Sequence, residues 1–401
     1  MQTVISKFTN LNLDTKVRLV AVVNLILLIF SCNFVFQPKD TFYYWEWSRH
    51  LQLSYLDGPP LIAYAMYVIT KLIGNSLFAI NFLGVISVYV SGYFIYKIGA
   101  TINYKTGWYA LLIWLLIPSM SIRFLFLRVD YNGLECVIAL AVMYYAILYL
   151  QTHKTYLIYI LGILGGLLLL SKYSGIILLL ILVMFFGISS SERKVFRTYH
   201  IYLSMLLCLL IFSPVLIWNS KHNWISFHYQ LKNHLWSGRV IDHKFGFVGV
   251  FDYLLKIIGE MLNIMVIFLG YIFIAKKPPV MKEAKSIKIL LFASIIYFLF
   301  WLSISWVART HTQYFLIIAA FFVIISSYYL DKYNLIGLLK FVLPVFVLIN
   351  IGVIIHSSYI FKHKIEYINN PLSEQLCYDH PTVEQLKSCY NSFLTQRLKS
   401  K

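Results

Sequence analysis

The sequence predicts an all-α polytopic membrane protein, and three observations support this fold class. Of the 401 residues, 60% are hydrophobic and only 12% are charged, whereas a soluble domain has about 45–50% apolar and about 25% charged residues. The apolar residues form runs close to the roughly 17–25 residues that an α-helix needs to cross a membrane. Most charged residues lie between these runs. A water-soluble fold of this composition would have too little polar surface.

The apolar runs predict about eleven transmembrane helices. They lie near 18–36, 77–98, 106–120, 131–150, 155–171, 174–189, 200–218, 250–274, 288–305, 314–330 and 335–357. The first run is longer than the apolar region of a cleaved signal peptide, and no small-residue cleavage site follows Phe36, so we expect it to remain as an anchor. We predict one membrane domain over 1–357 and a short polar tail over 358–401.

The loops favour an orientation with the N-terminus in the cytoplasm. Short basic loops, such as 193–197, then lie inside, as the positive-inside rule requires. The opposite face also carries cations, including Arg49, Arg128 and Lys172, which we interpret as functional charge. The net charge of +18 fits attraction to anionic lipid headgroups. Nucleic acid is a poor alternative partner, because the basic residues are dispersed over loops on both faces.

Residues 37–76 form a long loop between the first two predicted spans. It is rich in Trp and Tyr, which settle at the depth of the lipid headgroups. Its apolar segment 61–70 is short, follows two prolines and ends at Lys71, which favours an interfacial helix over a membrane span. If this segment did cross the membrane, every later loop would change sides.

Four segments of the chain resemble, in this order, outer segments of one enzyme class. They are DTFYYWEWSRHLQLSYLDGPPLIAY at 40–64, RVDYNGL at 128–134, GLLLLSKYSG at 166–175 and SPVLIWNSKHNWISFHYQL at 213–231. The class is that of the GT-C glycosyltransferases, in the group that contains protein O-mannosyltransferases and the lipid A aminoarabinose transferase. The resemblance implies a GT-C-like helical bundle with interfacial helices in its first outer loop.

The resemblance also implies roles for individual residues. Asp40 falls on the first acidic position of the family's outer loop, which is the catalytic one, and Asp57 falls on the acidic position before the prolines. Asp130 and Lys172 lie in two of the later matching segments. Thr41 stands where the family commonly has Glu, so a divalent metal, with Asp57 as its possible ligand, stays an open question.

The chemistry of glycosyl transfer asks for such residues independently. A base must take the proton of the incoming hydroxyl while charge develops on the departing phosphate. An inverting single displacement needs no enzyme nucleophile, in contrast with the covalent route of retaining hydrolases. Asp40 is the candidate base. Lys172, with Arg49 or Arg128, is the candidate phosphate contact, because Lys supplies a point charge and Arg a bidentate fork.

Each candidate also has a purely structural interpretation. Asp40 and Asp57 could cap the short helices that follow them, and Asp130 could cap the helix predicted at 131–150. Lys172 could extend from a helix end to the membrane interface, although charges at membrane-embedded positions are functional by default.

A last group of candidates follows the predicted span 200–218. Trp218, Asn219 and Trp224 could form a wall against which a sugar or an isoprenoid chain packs, or could simply belong to an interfacial aromatic belt. In the tail, Cys377 and Cys389 would pair in an oxidising compartment, with two free thiols as the alternative.

We therefore expect a glycosyltransferase in the plasma membrane, the inner membrane of a bacterium, with its site facing the periplasm. Its donor would be a polyprenyl-phosphate-linked sugar, on undecaprenyl phosphate in a bacterium, and its acceptor a lipid A, an envelope glycan or a protein. The alternative is a transporter or flippase of lipid-linked sugars. Transporters usually show repeated halves and midplane charges. A non-catalytic scaffold is the third option.

Overall fold

The computed structural model describes residues 12–33, 39–117, 129–231, 246–255, 284–307, 312–335, 337, 339, 343–352 and 355. Within these residues we label the α-helices α1 Leu13–Ser31, α2 Lys39–Arg49, α3 Leu61–Ile73, α4 Leu77–Ala100, α5 Tyr104–Leu116, α6 Tyr131–Thr152, α7 Tyr156–Ser171, α8 Gly175–Ile188, α9 Tyr199–Lys221, α10 Ile225–Gln230, α11 Lys285–Val307 and α12 Leu316–Lys332. Two 3-10 turns, Arg193–Arg197 and Thr312–Phe315, precede α9 and α12. The predicted all-α class is confirmed.

The helices follow the apolar runs of the sequence. Four of those described are long and apolar enough to cross a membrane, namely Leu77–Ala100, Tyr131–Thr152, Tyr199–Lys221 and Lys285–Trp306. The predicted span 250–274 and the tail 358–401, with Cys377 and Cys389, lie mostly or wholly outside the described residues. The count of eleven spans and the tail disulfide therefore stay predictions.

The first helix begins earlier than the hydropathy of the sequence predicted. It covers Leu13–Ser31 rather than 18–36. Asp14 lies in its first turn, where a carboxylate is favourable beside the positive end of the helix dipole. Asp14 also pairs with Arg18 one turn later, at 3.7 Å. Hydropathy does not register these polar contributions, and the observed helix therefore extends five residues further toward the N-terminus.

Side-chain contacts order the helices into a bundle with two ends. At one end, Gln151 in the last turn of α6 donates to the Thr101 carbonyl after α4 at 3.1 Å and to Ser286 Oγ in α11 at 3.2 Å. At the other end, Lys172 after α7 donates to Asn132 in the first turn of α6 at 2.6 Å. The helices α6 and α7 are therefore antiparallel. We call the end that holds Lys172 the site end.

The opposite end is held by a buried carboxylate. Glu192, whose side chain is 2% exposed, lies 2.8 Å from Lys285 Nζ and 3.7 Å from His153 Nδ1. Burial alone would raise the pKa of this carboxyl, but its contacts with Lys285, Ser191 and His153 lower the pKa below its usual value. Glu192 is therefore ionised at neutral pH and joins three connecting segments of this end.

The short helix α3 does not cross the bundle, as the sequence predicted. Its 13 residues span about 20 Å at about 1.5 Å each, less than a hydrocarbon core of about 30 Å. Asp57, just before α3, accepts a hydrogen bond from Gln230 after α9. Ser76, just after α3, caps α4 through Ala79 N, at the end of α4 remote from Thr101. Both ends of α3 therefore lie at the site end.

Glycines allow two helices to pack backbone against backbone. A Cβ at Gly166 of α7 would lie 2.6 Å from Ile211 Cβ and 2.8 Å from the Cys208 carbonyl oxygen of α9. Nearby, Ser204 Oγ of α9 donates to the Ile158 carbonyl at 2.7 Å. Membrane helices lack a hydrophobic drive to associate with one another, so close packing of small residues takes its place.

We predict that Gly166→Ala lowers the stability of the folded protein by about 1–3 kcal/mol, because the added methyl group forces α7 and α9 apart. The matched control is Gly187→Ala in α8, where the nearest atom to an added Cβ, on Phe196, lies 4.0 Å away. Melting temperatures of the purified proteins in detergent would measure both changes. An equal effect of the two substitutions would contradict this close packing.

Candidate functional site

All four segments singled out in the sequence meet at the site end, since Lys172 donates to Asn132 of the segment 128–134. Tyr173 forms a joint between the other segments. Its hydroxyl lies 3.3 Å from Ser54 Oγ in the first loop and 2.8 Å from Ser226 Oγ in α10. Trp218 Nε1 of α9 also donates to Gln52 Oε1 of the first loop, at 3.0 Å. Side-chain hydrogen bonds therefore hold together the first loop, the turn after α7 and the α9–α10 segment.

Asp57 lies on a tight turn of the first loop. Tyr55 and Gly58 face each other in an antiparallel bridge, with the Tyr55 N–H donating to the Gly58 carbonyl at 3.0 Å. Asp57 is half-buried, and its Oδ1 accepts from Gln230 Nε2 at 3.2 Å. The turn therefore fixes this carboxylate between the first loop and the end of α10.

Asp130 is a helix cap, as one of its two interpretations predicted. Its side chain is buried, and its Oδ1 accepts from the Asn132 backbone N–H at 2.8 Å at the start of α6. Its Oδ2 accepts from the Asn132 side-chain amide at 2.6 Å. The cap fixes the carboxylate and the amide of the first turn together.

Tyr44 of α2 lies close to both carboxylates. It is buried, and its ring packs 5.2 Å from that of Tyr131. Burial raises the pKa of Tyr44 well above its usual value, and Tyr131, Asp57 and Asp130 raise it further. The phenol therefore stays neutral at physiological pH.

Lys172 lies at the turn between α7 and α8, and its ammonium is enclosed. Nζ lies 2.6 Å from Asn132 Oδ1 and 3.5 Å from Glu135 Oε2, with side-chain exposures of 13% for Lys172 and 8% for Glu135. The ring centroids of Tyr131 and Tyr314 lie 5.1 Å and 4.6 Å from Nζ, within the range of cation–π contacts. Lys172 is therefore a held cation at the site end, not a side chain extended into solvent.

Arg49 makes packing contacts within the first loop. Its guanidinium donates to Thr70 Oγ1 at 2.8 Å and to Asn75 Oδ1 at 3.0 Å, and it lies 5.0 Å from the centre of the Trp45 ring. Asn75 also accepts from Trp45 Nε1 at 2.9 Å. These contacts fasten the end of α2 to the end of α3.

The candidates at the end of α9 and at the start of α10 have different roles. Trp218 stacks on His222 with ring centroids 4.0 Å apart. Asn219 is fully buried. Its side-chain amide donates to the Val215 carbonyl at 3.0 Å and accepts from the Ser226 N–H at 3.2 Å, so both of its polar atoms bond to the backbone. Trp224 is 46% exposed and has a left-handed backbone with φ +57°. Of the three candidates Trp218, Asn219 and Trp224, only the two tryptophans have partly exposed side chains.

The remaining candidates are Asp40, Arg128 and a metal site. Asp40 is the second residue of α2, where a carboxylate is favourable beside the helix dipole. Arg128 lies outside the described residues. Among the residues that the structure describes, no group of three or more His, Cys, Asp or Glu side chains is placed to hold a metal ion.

Several residues of the site were not predicted from the sequence. They are Asn132, Glu135, Tyr173, Ser174 and Gln230. A signal for Glu135 was present, since it is an acid inside the predicted span 131–150 and such charges are functional by default. The others lie inside the segments singled out, but which side chains would meet depends on the packing of distant helices.

We predict that Tyr173→Phe loosens the joint between the first loop and α10. The change removes the hydroxyl that contacts Ser54 and Ser226, and buried polar atoms left without a partner cost about 1–3 kcal/mol. The matched control is Tyr156→Phe, at the opposite end of α7, where the side chain is 54% exposed. Limited proteolysis near 222–231 should become faster in Tyr173→Phe alone. Equal rates in the two variants would contradict the joint.

The fold and site can be compared with known proteins. A family model described as dolichyl-phosphate-mannose-protein mannosyltransferase matches residues 57–218. This range includes Asp57, Asp130, Lys172 and Trp218. No curated protein is significantly similar to the chain.

Solved structures share the fold. ArnT from Cupriavidus metallidurans bound to undecaprenyl phosphate matches with a TM-score of 0.61 at 17% identity, covering 79% of this chain and 60% of that chain. Its apo form matches with a TM-score of 0.60 at 16% identity, covering 79% of this chain and 59% of that chain. The oligosaccharyltransferase of Archaeoglobus fulgidus tethered with an acceptor peptide matches with a TM-score of 0.48 at 14% identity, covering 85% of this chain and 54% of that chain. This TM-score is too low to establish a shared fold.

The chain therefore has the fold of the GT-C class of membrane glycosyltransferases. The resemblance predicted from its sequence, to the group of protein O-mannosyltransferases and the lipid A aminoarabinose transferase, is confirmed. The chain spans about three-fifths of the length of the ArnT chain.

Proposed function

We propose that this protein is an inverting glycosyltransferase that moves a sugar from a polyprenyl-phosphate carrier to a lipid A, an envelope glycan or a protein. One observation carries the proposal. Two carboxylates, Asp57 and Asp130, and one held ammonium, Lys172, lie at one end of a GT-C bundle, where the first loop is joined to α10. This combination provides acidic groups and a cation for a phosphate-linked donor.

The reaction would be a single displacement. The acceptor oxygen attacks the anomeric carbon, the bond from that carbon to the phosphate oxygen breaks, and Asp40 takes the proton of the acceptor hydroxyl. The polyprenyl phosphate leaves with the bonding electrons. Lys172 stabilises the charge that develops on the phosphate, since a fixed cation in a site of low polarity acts strongly on such charge. Asp57 positions the donor or a divalent metal.

The other candidates receive more specific roles. Arg49 acts through the packing of α2 on α3 and Asn219 through the packing of α10, because one terminal nitrogen of the Arg49 guanidinium and the side-chain amide of Asn219 are hydrogen-bonded there. Trp218, beside Gln52, offers a ring for the face of a sugar, and the exposed Trp224 offers one for the carrier lipid. Arg128 is proposed as a second cation for the phosphate, since it lies two residues before Asp130.

The proposed donor is polyprenyl-linked, undecaprenyl phosphate being the carrier in a bacterium. The description of the matching family, which names dolichyl-phosphate-mannose, and the ArnT structure with undecaprenyl phosphate support this choice. We place the protein in the plasma membrane, among lipids, with its site on the outer face and the basic loop 193–197 in the cytoplasm.

The proposed function is tested by comparing the lipids and envelope glycans of cells with and without the gene. We expect one polyprenyl-phosphate sugar to accumulate in the deletion strain and one glycan to lose that sugar. Reintroduced wild-type protein should reverse both changes. An unchanged lipid and glycan profile would contradict the proposal. A lipid-linked sugar that accumulates and stays shielded from an external oxidant would favour the transporter alternative instead.

We also predict the side on which each end of the bundle lies. Single cysteines at Leu53 and Asn223, in a chain whose own cysteines are replaced, should react with an impermeant maleimide in intact cells. Cysteines at Lys154 and Arg193 should react only after permeabilisation. All four positions are exposed. Labelling of the second pair alone in intact cells would show the reverse orientation.

A further inference from the structure

A chain of polar contacts connects the start of α6 with the turn between α7 and α8. Asn132 Nδ2 donates to Asp130 Oδ2 at 2.6 Å, and Lys172 Nζ donates to Asn132 Oδ1 at 2.6 Å. On the other side, Lys172 faces Glu135 Oε2 at 3.5 Å, and Ser174 Oγ donates to Glu135 Oε1 at 2.6 Å. Five side chains from two sequence segments therefore lie in one continuous series.

The chemistry of its neighbours fixes the orientation of the Asn132 amide. An ionised carboxylate only accepts hydrogen bonds and an ammonium only donates them. The amide nitrogen of Asn132 must therefore face Asp130, and its oxygen must face Lys172. Asn132 thereby holds the ammonium on the side of α6 where Asp130 lies, toward the candidate site.

Glu135 has a different relation to the ammonium. A carboxylate that captured it fully would lie at about 2.7–2.9 Å, whereas Glu135 Oε2 lies at 3.5 Å. Ser174 holds the other carboxylate oxygen and so prevents Glu135 from turning freely. Glu135 therefore balances the charge of Lys172 without taking its hydrogen bond.

This balance matters because both groups are largely buried, with side-chain exposures of 13% for Lys172 and 8% for Glu135. A buried charge without a partner is strongly unfavourable, and such a group either moves or becomes neutral. Without the Glu135 carboxylate, Lys172 would turn toward water, and its fixed charge would leave the site.

We infer that Glu135 is a positioning residue, which keeps Lys172 as a fixed ammonium available to the phosphate of a polyprenyl-phosphate donor. The inference rests on the proposed function, in which Lys172 contacts that phosphate. It adds a residue that acts through Lys172 and does not itself touch the donor.

Two substitutions separate this role from simple packing. Glu135→Gln keeps the shape of the side chain and its acceptor for Ser174 but removes the charge. Glu135→Asp keeps the charge but shortens the side chain by one methylene. If Glu135 acts by its charge, the Asp variant binds donor better than the Gln variant. If it only fills space, the order is reversed.

The matched control is Glu192→Gln at the opposite end of the bundle. Glu192 is also buried and paired with a lysine, Lys285. Removing its charge should lower stability without any effect on phosphate binding. A general effect of removing a buried carboxylate that pairs with a lysine is thereby distinguished from an effect on the site.

The experiment measures binding of undecaprenyl phosphate to the purified full-length proteins by native mass spectrometry, with undecaprenol as the neutral reference. We expect Glu135→Gln to lose at least 10-fold in affinity for undecaprenyl phosphate, Glu135→Asp to lose less, and Glu192→Gln to match the wild type. Binding of undecaprenol should be the same in all four proteins.

The outcomes that overturn the inference are distinct. Wild-type affinity in Glu135→Gln, or weaker binding by Glu135→Asp than by Glu135→Gln, would show that the charge of Glu135 has no positioning role. Wild-type protein that does not distinguish undecaprenyl phosphate from undecaprenol would instead overturn the proposed donor, and the inference with it.

Discussion

Asp40→Asn should reduce glycosyl transfer by about 10²–10⁴-fold, the usual contribution of a general base, while the protein inserts and folds normally. Asparagine keeps the shape of aspartate but cannot accept the proton of the acceptor hydroxyl. The loss would concern the rate of transfer rather than the binding of the donor. Transfer to the endogenous acceptor in membrane vesicles, at matched protein levels, would measure it.

The position of Asp40 in α2 supports this expectation. Residues four apart share one face of a helix, so the backbone of α2 places position 40 one turn before Tyr44. Tyr44 lies near both Asp57 and Asp130. The backbone at position 40 therefore lies one helical turn from a residue of the candidate site.

Glu46→Gln is the matched control for this prediction. Glu46 is an acid of the same helix, and it pairs with His50 at 3.3 Å. We expect this variant to retain transfer. Wild-type transfer by Asp40→Asn would contradict its role as the base. Loss of the Asp40→Asn protein from the membrane would show instead that α2 needs an acid in its first turn.

Lys172→Met should weaken donor binding by roughly 30-fold or more. The proposed pair of Lys172 with the donor phosphate would lose its cation, and removing one member of a buried, hydrogen-bonded charge pair costs about 2–5 kcal/mol. Methionine is unbranched and only one atom shorter than lysine, so it still packs toward the rings of Tyr131 and Tyr314. Only the charge and the hydrogen bond to Asn132 are lost. The donor concentration needed for half-maximal transfer would measure the effect.

Lys172→Arg should give an intermediate result. The charge survives, but a planar guanidinium is larger than the ammonium that fits between Asn132 and the two tyrosine rings. Lys285→Met, which removes the lysine beside Glu192 at the opposite end, is the control and should leave donor use unchanged. Equal donor use by Lys172→Met and Lys172→Arg would show that the charge is not needed.

Local patterns in the sequence were sufficient for much of the fold. The helical class, the positions of α4, α6, α7, α8, α9 and α12, and the failure of the segment 61–73 to cross the bundle all follow from the length and composition of apolar runs. The cap at Asp130 follows in the same way, since a cap depends on residues only two or three positions away. The start of α1 did not follow, because hydropathy misses the polar residues of its first turn.

The sequence by itself determined that this is a helical membrane protein with acids and a lysine at helix ends, in the order typical of the GT-C class. Only the tertiary structure decided what those residues contact. It pairs Lys172 with Asn132 and Glu135, uses Arg49 and Asn219 for packing, and joins Tyr173 to Ser54 and Ser226. The physical reason is that the length and apolar composition of each run are set by the lipid around that helix alone. Hydrogen bonds such as those of Lys172 with Asn132, 40 positions away, and of Tyr173 with Ser54, 119 positions away, depend instead on how close and at what rotation the helices pack, which no single segment encodes.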